Sequence, residues 1–349
     1  MTRDAPPRRP APRYAAIDLG TNNCRLLVAA PRRAGEGLAG LRVVDAFSRI
    51  VRLGEGVSGS GRLSEAAMDR TVAALTVCAR KMRERGVTRS RAIATQACRL
   101  AANGPDFLRR VREETGLGLD LISPEEEARL AALGCADLID AEAKAVLVFD
   151  IGGGSTEMSW IATGDGLPRT LAWTSFPFGV VTLAEASGGR DMDRAAYEAM
   201  VARVADEVRG FAGPAALEGL FGTRAAHLIG TSGTVTSLAG VKMRLPRYNR
   251  RDVDGSWLSA DDVETVSEQL RAMGLSRRAA EPCIGPARAD LVVPGCAILQ
   301  GIMRVWPSER VRVGDRGLRE GMLIELMRAD QAARRPHAPG AERTEAARG

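Results

Sequence analysis

The chain has 349 residues, enough for two domains with well-formed cores, and its 45% apolar and 26% charged residues are the proportions of a soluble globular protein. No apolar run is long enough to span a bilayer, and Met1 to Pro12, rich in Pro and Arg, lacks the apolar stretch of a secretory signal, so a cytoplasmic location is expected. Of the net charge of +6, the segment through Arg13 carries +3 and the segment from Gln331 carries +2; both read as solvated tails, and the nearly neutral body between them gives no reason to expect a nucleic-acid partner.

Short apolar runs alternate with helical periods, which reads as α/β. Tyr14 to Leu19 is predicted as a buried strand ending in Asp-Leu-Gly, Cys24 to Ala30 as its hairpin partner, and Leu41 to Arg52 as a third strand. Ser64 caps a long helix that runs to about Arg85, with Glu65 in its first turn. Arg91 to Thr95 reads as a short strand and Pro105 to Thr115 as a helix. Ser123 opens another helix, with Pro124 at its first position and Glu126 closing a capping box, and this helix is predicted to reach about Asp137. A strand over Ala145 to Asp150, a helix after Asp191 and a strand over Ala226 to Gly230 follow. The remaining helices are predicted at Thr234–Val241, Ala260–Met273, Ala289–Val305 and Leu318–Met327. Pro246 to Ser256 has many charges and no period, and reads as a mobile loop. Together with its flanks it gathers Lys242, Arg244, Arg247, Arg250 and Arg251, a basic track on which a polyanion could lie.

One internal echo organises the chain. Ala16-Ile17-Asp18-Leu19-Gly20-Thr21-Asn22-Asn23 matches Val148-Phe149-Asp150-Ile151-Gly152-Gly153-Gly154-Ser155 in pattern: an apolar strand, Asp-(Leu/Ile)-Gly, small polar residues, then another apolar strand. Two copies suggest two related domains facing each other. Tight turns of Gly and small polar residues expose backbone N–H groups that bind phosphate oxygens. Thr21, Asn22, Ser155 and Thr156 add side-chain donors, and Gly152, Gly153 and Gly154 allow close approach of the backbone. Asp18 and Asp150 end their strands beside these turns, where carboxylates and phosphates would repel unless a Mg²⁺ ion lay between them. A third turn, Gly230-Thr231-Ser232-Gly233-Thr234, leads from a strand into a helix and aims a helix N-terminus at the same ligand.

An attacking water needs a base. Only two His are present, and His337 lies in a tail while His227 lies in a predicted strand, so a carboxylate is the better candidate. Glu126 is explained by the capping box and Glu125 by the helix dipole; Glu127 has neither role and can point into the cleft. The six Cys form no CxxC pair and read as small buried hydrophobes.

The strings AIDLGTNNCRLLVA, ATQACRLAAN, ISPEEEARLAALG, VFDIGGGSTEMSW, IGTSGTVTSLAG and VPGCAILQG, in this order, resemble the exopolyphosphatase / guanosine pentaphosphate phosphohydrolase family from about Arg13 to Arg328. The resemblance implies a two-lobed actin-like (ribonuclease-H-like) fold with its site in the interdomain cleft, a first lobe over 13–131 and a second over 132–329. It implies that Glu127 activates the water, that Arg99 clamps a phosphate, and that Asp150 and Glu157 serve the metal and the water. The family's first loop matches Asp18, Gly20, Thr21 and Asn22; Asn23 stands where many relatives have Ser, another polar side chain. The implied substrate is inorganic polyphosphate or a guanosine polyphosphate (pppGpp), and a homodimer is compatible with the resemblance. Longer relatives continue into helical domains that help bind long chains, so the resemblance carries no chain-length preference. Two other classes fit two phosphate loops: an actin-like sugar kinase, for which no base for a sugar hydroxyl stands out, and a non-enzymatic nucleotide-binding protein, which needs an adenosine pocket.

Overall fold

A computed structural model describes residues 11–32, 41–163, 169–188, 191–211, 219–223 and 225–334. Most of the two basic end segments therefore lies outside the described residues. Within them no helix is long and apolar enough to cross a membrane.

The chain forms two mixed sheets. In the first, β1 (Tyr14–Leu19), β2 (Asn23–Pro31), β3 (Leu41–Ile50), β4 (Arg89–Ala94) and β5 (Asp120–Leu121) lie in the order β3-β2-β1-β4-β5. β1 pairs antiparallel with β2 and parallel with β4, the crossover being made by α1 (Val57–Ser60) and α2 (Glu65–Glu84). Ser64 caps α2 by accepting the Ala67 N–H. The apolar face of α2 covers one face of the sheet through Ala67, Val72, Leu75 and Cys78, which are packed with Ile17, Leu26 and Val28. Then come α3 (Gln96–Leu100), α4 (Gly104–Thr115) and α5 (Pro124–Cys135).

The second sheet joins β6 (Ala145–Ile151), β7 (Thr156–Ala162), β8 (Arg169–Phe176), β9 (Ala226–Thr231), β10 (Trp257–Ser259) and β11 (Arg310–Gly314) in the order β10-β11-β9-β6-β7-β8. Its helices are α6 (Val180–Ala186), α7 (Arg194–Arg209), α8 (Ser232–Lys242), α9 (Arg250–Val253), α10 (Ala260–Ala280) and α11 (Val292–Val305). Leu147, Phe149, Trp160, Val235, Ile298 and Leu299 belong to the larger core, built on this sheet. The last helix, α12 (Leu318–Arg334), returns to the first sheet: Leu318, Met322 and Leu323 pack on Tyr14, Ala16, Leu27 and Ile93. All six Cys are buried and free.

Several expectations need correction. The third strand ends at Ile50, because Arg52 adopts a left-handed φ of 48°. The helix after Ser123 stops at Cys135, and a 3₁₀ turn covers Ala136–Leu138. The helix expected from Ala289 starts at Val292. The break expected after Met273 is a kink at Gly274, with φ 72°, after which helix resumes to Ala280. The stretch Pro246 to Ser256 is not a free loop. It contains α9 and is pinned by Tyr248 to Asp315 (2.6 Å) and by Arg250 to Glu320 (2.6 Å). Of the expected basic track, Lys242 is paired with Asp262 at 2.8 Å, whereas Arg244, Arg247 and Arg251 are exposed.

Candidate active site

The two echoed hairpins face one cleft, lined from both sheets. In the first, Asp18 lies across from Arg25, and the Gly20 N–H donates to the Asn23 carbonyl at 2.9 Å. In the second, Asp150 lies across from Glu157, and the Gly152 N–H donates to the Ser155 carbonyl, also at 2.9 Å. The same turn closure thus places the same pair of positions on the cleft, as cross-strand neighbours on one face. The turns almost touch: a Cβ added at Gly153 would sit 3.1 Å from the Thr21 Cβ and 3.2 Å from the Asn22 nitrogen. Only Gly permits that approach without moving the facing loop.

The third turn joins them. Ser232 opens α8 with a left-handed φ of 76°, and its hydroxyl donates to the Ile151 carbonyl, which ties α8 to the second hairpin. Ser232, Gly233 and Thr234 line the cleft, so the first turn of α8 offers unsatisfied N–H groups there. Glu127, in the first turn of α5, lines the same cleft.

Asp18, Gly20, Thr21, Asn22, Asn23, Glu127, Asp150, Gly152, Gly153, Ser155, Glu157, Ser232, Gly233 and Thr234 therefore share one cavity. Four other candidates stand behind it. Arg99 reaches Glu127 at 3.3 Å and the Ile122 carbonyl at 2.7 Å. Gly154 abuts Gln96. The Thr156 hydroxyl is used on the Phe178 carbonyl at 2.9 Å. Gly230 lies under the Phe149 ring, where a side chain would collide.

Four carboxylates crowd the cavity. Burial raises the pKa of Asp18 and of Asp150, with Arg25 pulling both down. Burial raises Glu157 to about 7, against a hydrogen bond from Ser155. Glu127 is raised well above the ordinary value by burial and then by Glu157, with Arg99 opposing. The side-chain oxygens of Asn22 and Asn23 are buried with no protein partner.

The cavity is thus short of positive charge. Among the described residues no three Asp, Glu, His or Cys side chains stand close enough to cage a metal alone. Mg²⁺ does not need a cage: it is commonly held by one or two carboxylates with water and substrate phosphates completing the shell. One or two of Asp18, Asp150 and Glu157, with water completing the shell, fit such an ion, because their burial resists their charge until a cation arrives.

Glu126 does not close a capping box. Ser123 accepts the Glu126 N–H at 3.2 Å, but the Glu126 carboxylate turns to Arg91 (2.9 Å) and Arg129 (2.8 Å). Those two arginines offer charge-assisted bonds, stronger than one to a neutral N–H.

Two cleft arginines escaped the sequence reading. Arg25 stands in the first hairpin at the position that Glu157 holds in the second, so the echo itself contained the signal. Arg288 precedes α11, and its guanidinium lies 3.8 Å from where a Cβ on Gly233 would be. Burial and the nearby Arg25 depress its pKa. Nothing in the local sequence marks it, since only the fold brings it to the third turn.

The sequence profile of the Ppx/GppA phosphatase family matches residues 32–330. Exopolyphosphatase 2 of Mycobacterium tuberculosis is 30% identical over 337 residues, which cover 90% of this chain and 98% of that protein. A crystal structure of the Aquifex aeolicus Ppx/GppA family member superposes with a TM-score of 0.75 at 28% identity, covering 92% of this chain and 99% of that one. An exopolyphosphatase from Cytophaga hutchinsonii superposes with a TM-score of 0.78 at 25% identity, covering 91% and 98%.

Proposed function

This chain belongs to the Ppx/GppA phosphatase family, a phosphoanhydride hydrolase of the actin-like ATPase fold, and from that premise we propose that it removes the terminal phosphate from inorganic polyphosphate. The observation that carries the proposal is the convergence of three glycine-containing turns and the Glu127 carboxylate, itself gripped by Arg99, on a single cavity. We place the boundary between the lobes near Ala131, inside α5.

The terminal phosphate sits among the N–H groups of the turns after β1, β6 and β9. A water on the Glu127 side attacks its phosphorus, the bond to the bridging oxygen breaks, and Glu127 takes the water's proton. The shortened chain leaves with the charge on its new terminal oxygen. Arg99 holds Glu127 in place and limits the rise of its pKa. Arg25 and Arg288 supply fixed positive charge at the next phosphates. One or two of Asp18, Asp150 and Glu157, with water, would hold Mg²⁺, which would supply positive charge against the phosphate oxygens.

The test is phosphate release from polyphosphate with no acceptor present, beside release from pppGpp. Orthophosphate from polyphosphate, lost in Glu127→Gln, supports the reading. Release from pppGpp alone would move the substrate to the guanosine nucleotide, and release from neither would remove the hydrolase mechanism.

A further inference from the structure

The stretch 51–58, which runs into α1, backs the first phosphate turn and reaches the second lobe without lining the cleft. Its start is welded to the first phosphate turn: the Val51 and Arg52 N–H groups donate to the Asn22 carbonyl at 2.9 and 3.0 Å, and the Gly54 N–H to the Thr21 carbonyl at 2.9 Å. A Cβ on Gly54 would meet the Thr21 side chain at 2.3 Å, so this backing is close-fitting. Those bonds hold Arg52 in its left-handed backbone conformation, unusual for a residue with a side chain.

From that position the Arg52 side chain crosses to the other lobe. It bonds Asp290 at 3.1 Å and the Ala287 carbonyl at 3.3 Å, on either side of the cleft residue Arg288. A second crossing lies beside it. Glu185, on α6, accepts the Gly56 N–H at 2.9 Å and stands 3.5 Å from the Ser58 hydroxyl. The helix α6 is the backing of the second phosphate turn, because the Val180 and Val181 N–H groups donate to the Gly152 and Gly153 carbonyls at 3.0 and 2.7 Å.

We propose that Arg52 and Glu185 are positioning residues that clasp the backing of the first phosphate turn to the Arg288 segment and to the backing of the second turn, and so keep the cleft closed over substrate. Each crossing is charged and solvent-facing: the Arg52 side chain is 32% exposed and that of Asp290 24%. Such contacts are individually weak and screened by salt. A weak clasp suits a cleft that must close on a polyanion and open again for phosphate to leave. Its loss lowers the population of the closed form, and apparent affinity falls by the same factor.

The kinetic arm of the test rests on the exopolyphosphatase reading; the scattering arm does not. In Arg52→Ala/Glu185→Ala, KM for polyphosphate is expected to rise about tenfold while kcat changes by less than about threefold. Small-angle scattering of the free protein is expected to show a larger radius of gyration. Arg52→Asp should open the molecule in the same way, and Arg52→Asp with Asp290→Arg should restore both the compact form and the KM. Unchanged KM and scattering in the double Ala variant would overturn the clasp. So would a raised KM with unchanged scattering and no recovery in the charge swap, because Arg52 would then act on substrate directly. A wild-type protein inactive on polyphosphate would sink the exopolyphosphatase reading and leave scattering to decide the clasp.

Discussion

Arg99 presents both terminal nitrogens to one oxygen of Glu127, at 3.3 and 3.4 Å, while the Ile122 carbonyl fixes one of those nitrogens at 2.7 Å. The guanidinium is thereby oriented before substrate arrives. It grips one carboxylate oxygen, and the other has no protein partner among the described residues. A carboxylate held in this way has one oxygen for positioning and one for a water, as the proposed base requires.

The contrast between neighbouring glutamates follows. Glu127→Gln keeps the shape and removes the basicity, so kcat is expected to fall by roughly 10²–10⁴ in a folded protein. Glu126→Gln loses two surface ion pairs, to Arg91 and Arg129, and is expected to cost no more than about 1 kcal/mol with kcat near wild type. Steady-state kinetics and a urea titration of each variant measure both. Reversed phenotypes would place the base at the wrong residue.

Glu127 also predicts the direction of a pH effect on stability. Its pKa in the folded protein is raised above the ordinary carboxylate value, first by burial and then by Glu157. Below an unfolded-state value of about 4.3 the group is protonated in both states and imposes no penalty. As pH rises through the folded-state value, the unfolded state releases the proton more readily, and stability is lost. Glu127→Gln should therefore melt at the same temperature as wild type near pH 4 and above it at pH 8. A wild-type protein equally stable or more stable than the variant at pH 8 would contradict the burial argument.

The same reasoning links metal to stability. Mg²⁺ should raise the melting temperature of the wild-type protein at pH 8, because it relieves Asp18, Asp150 and Glu157 together. Asp150→Asn should keep the fold, lose at least about tenfold in rate and show a smaller Mg²⁺-induced rise. Excess chelator should stop phosphate release. Full activity in chelator, or an equal thermal response in Asp150→Asn, would remove the metal from this site.

What could be read in the sequence was local or repeated. The Asp-x-Gly turns stood out because each compresses strand, turn and strand into one short string, and both strands pair as those strings suggest. Buried runs such as Ala145–Ile151 carried enough apolar residues to announce a strand. β10 and β11 did not: one has three residues, and the other alternates Arg with Val because Arg310 and Arg312 lie over Trp257 at 4.0 and 4.7 Å. Arg288 and the Arg52–Asp290 crossing depend on residues far apart in the chain, which no local pattern encodes. Glu126 misled because Arg91 and Arg129 outcompeted the Ser123 N–H for its carboxylate.

Arg250 supplies the last prediction, and its contacts set it apart from the exposed residues of the basic stretch. The turn after β11 runs directly beneath the cleft: a Cβ on Gly317 would lie 3.9 Å from the Asp150 carboxylate, and Leu318 lines the cavity. Glu320 holds that turn by accepting the Gly317 N–H at 2.9 Å, the third helical residue reaching back to the residue before α12. Glu320 is itself buried, with Arg250 at 2.6 Å as its ion-pair partner. Tyr248 and Arg250 also hold Asp315, at 2.6 and 3.7 Å. Removing Arg250 takes away the hydrogen-bonded partner of the buried Glu320, leaving Arg319 to offset its charge, and loosens the turn under Asp150. Arg250→Gln is therefore expected to cost roughly 1–3 kcal/mol, less than a fully buried pair because the arginine is partly exposed. It should also lower kcat by the same factor on short and long polyphosphate, since the fault lies at the terminal phosphate. Arg251→Gln, on the exposed side of the same short helix, should change neither stability nor rate. Denaturant midpoints and kinetics on two chain lengths decide the matter. A KM that rises for long chains only, with stability unchanged, would return Arg250 to the substrate and refute its role as a strut.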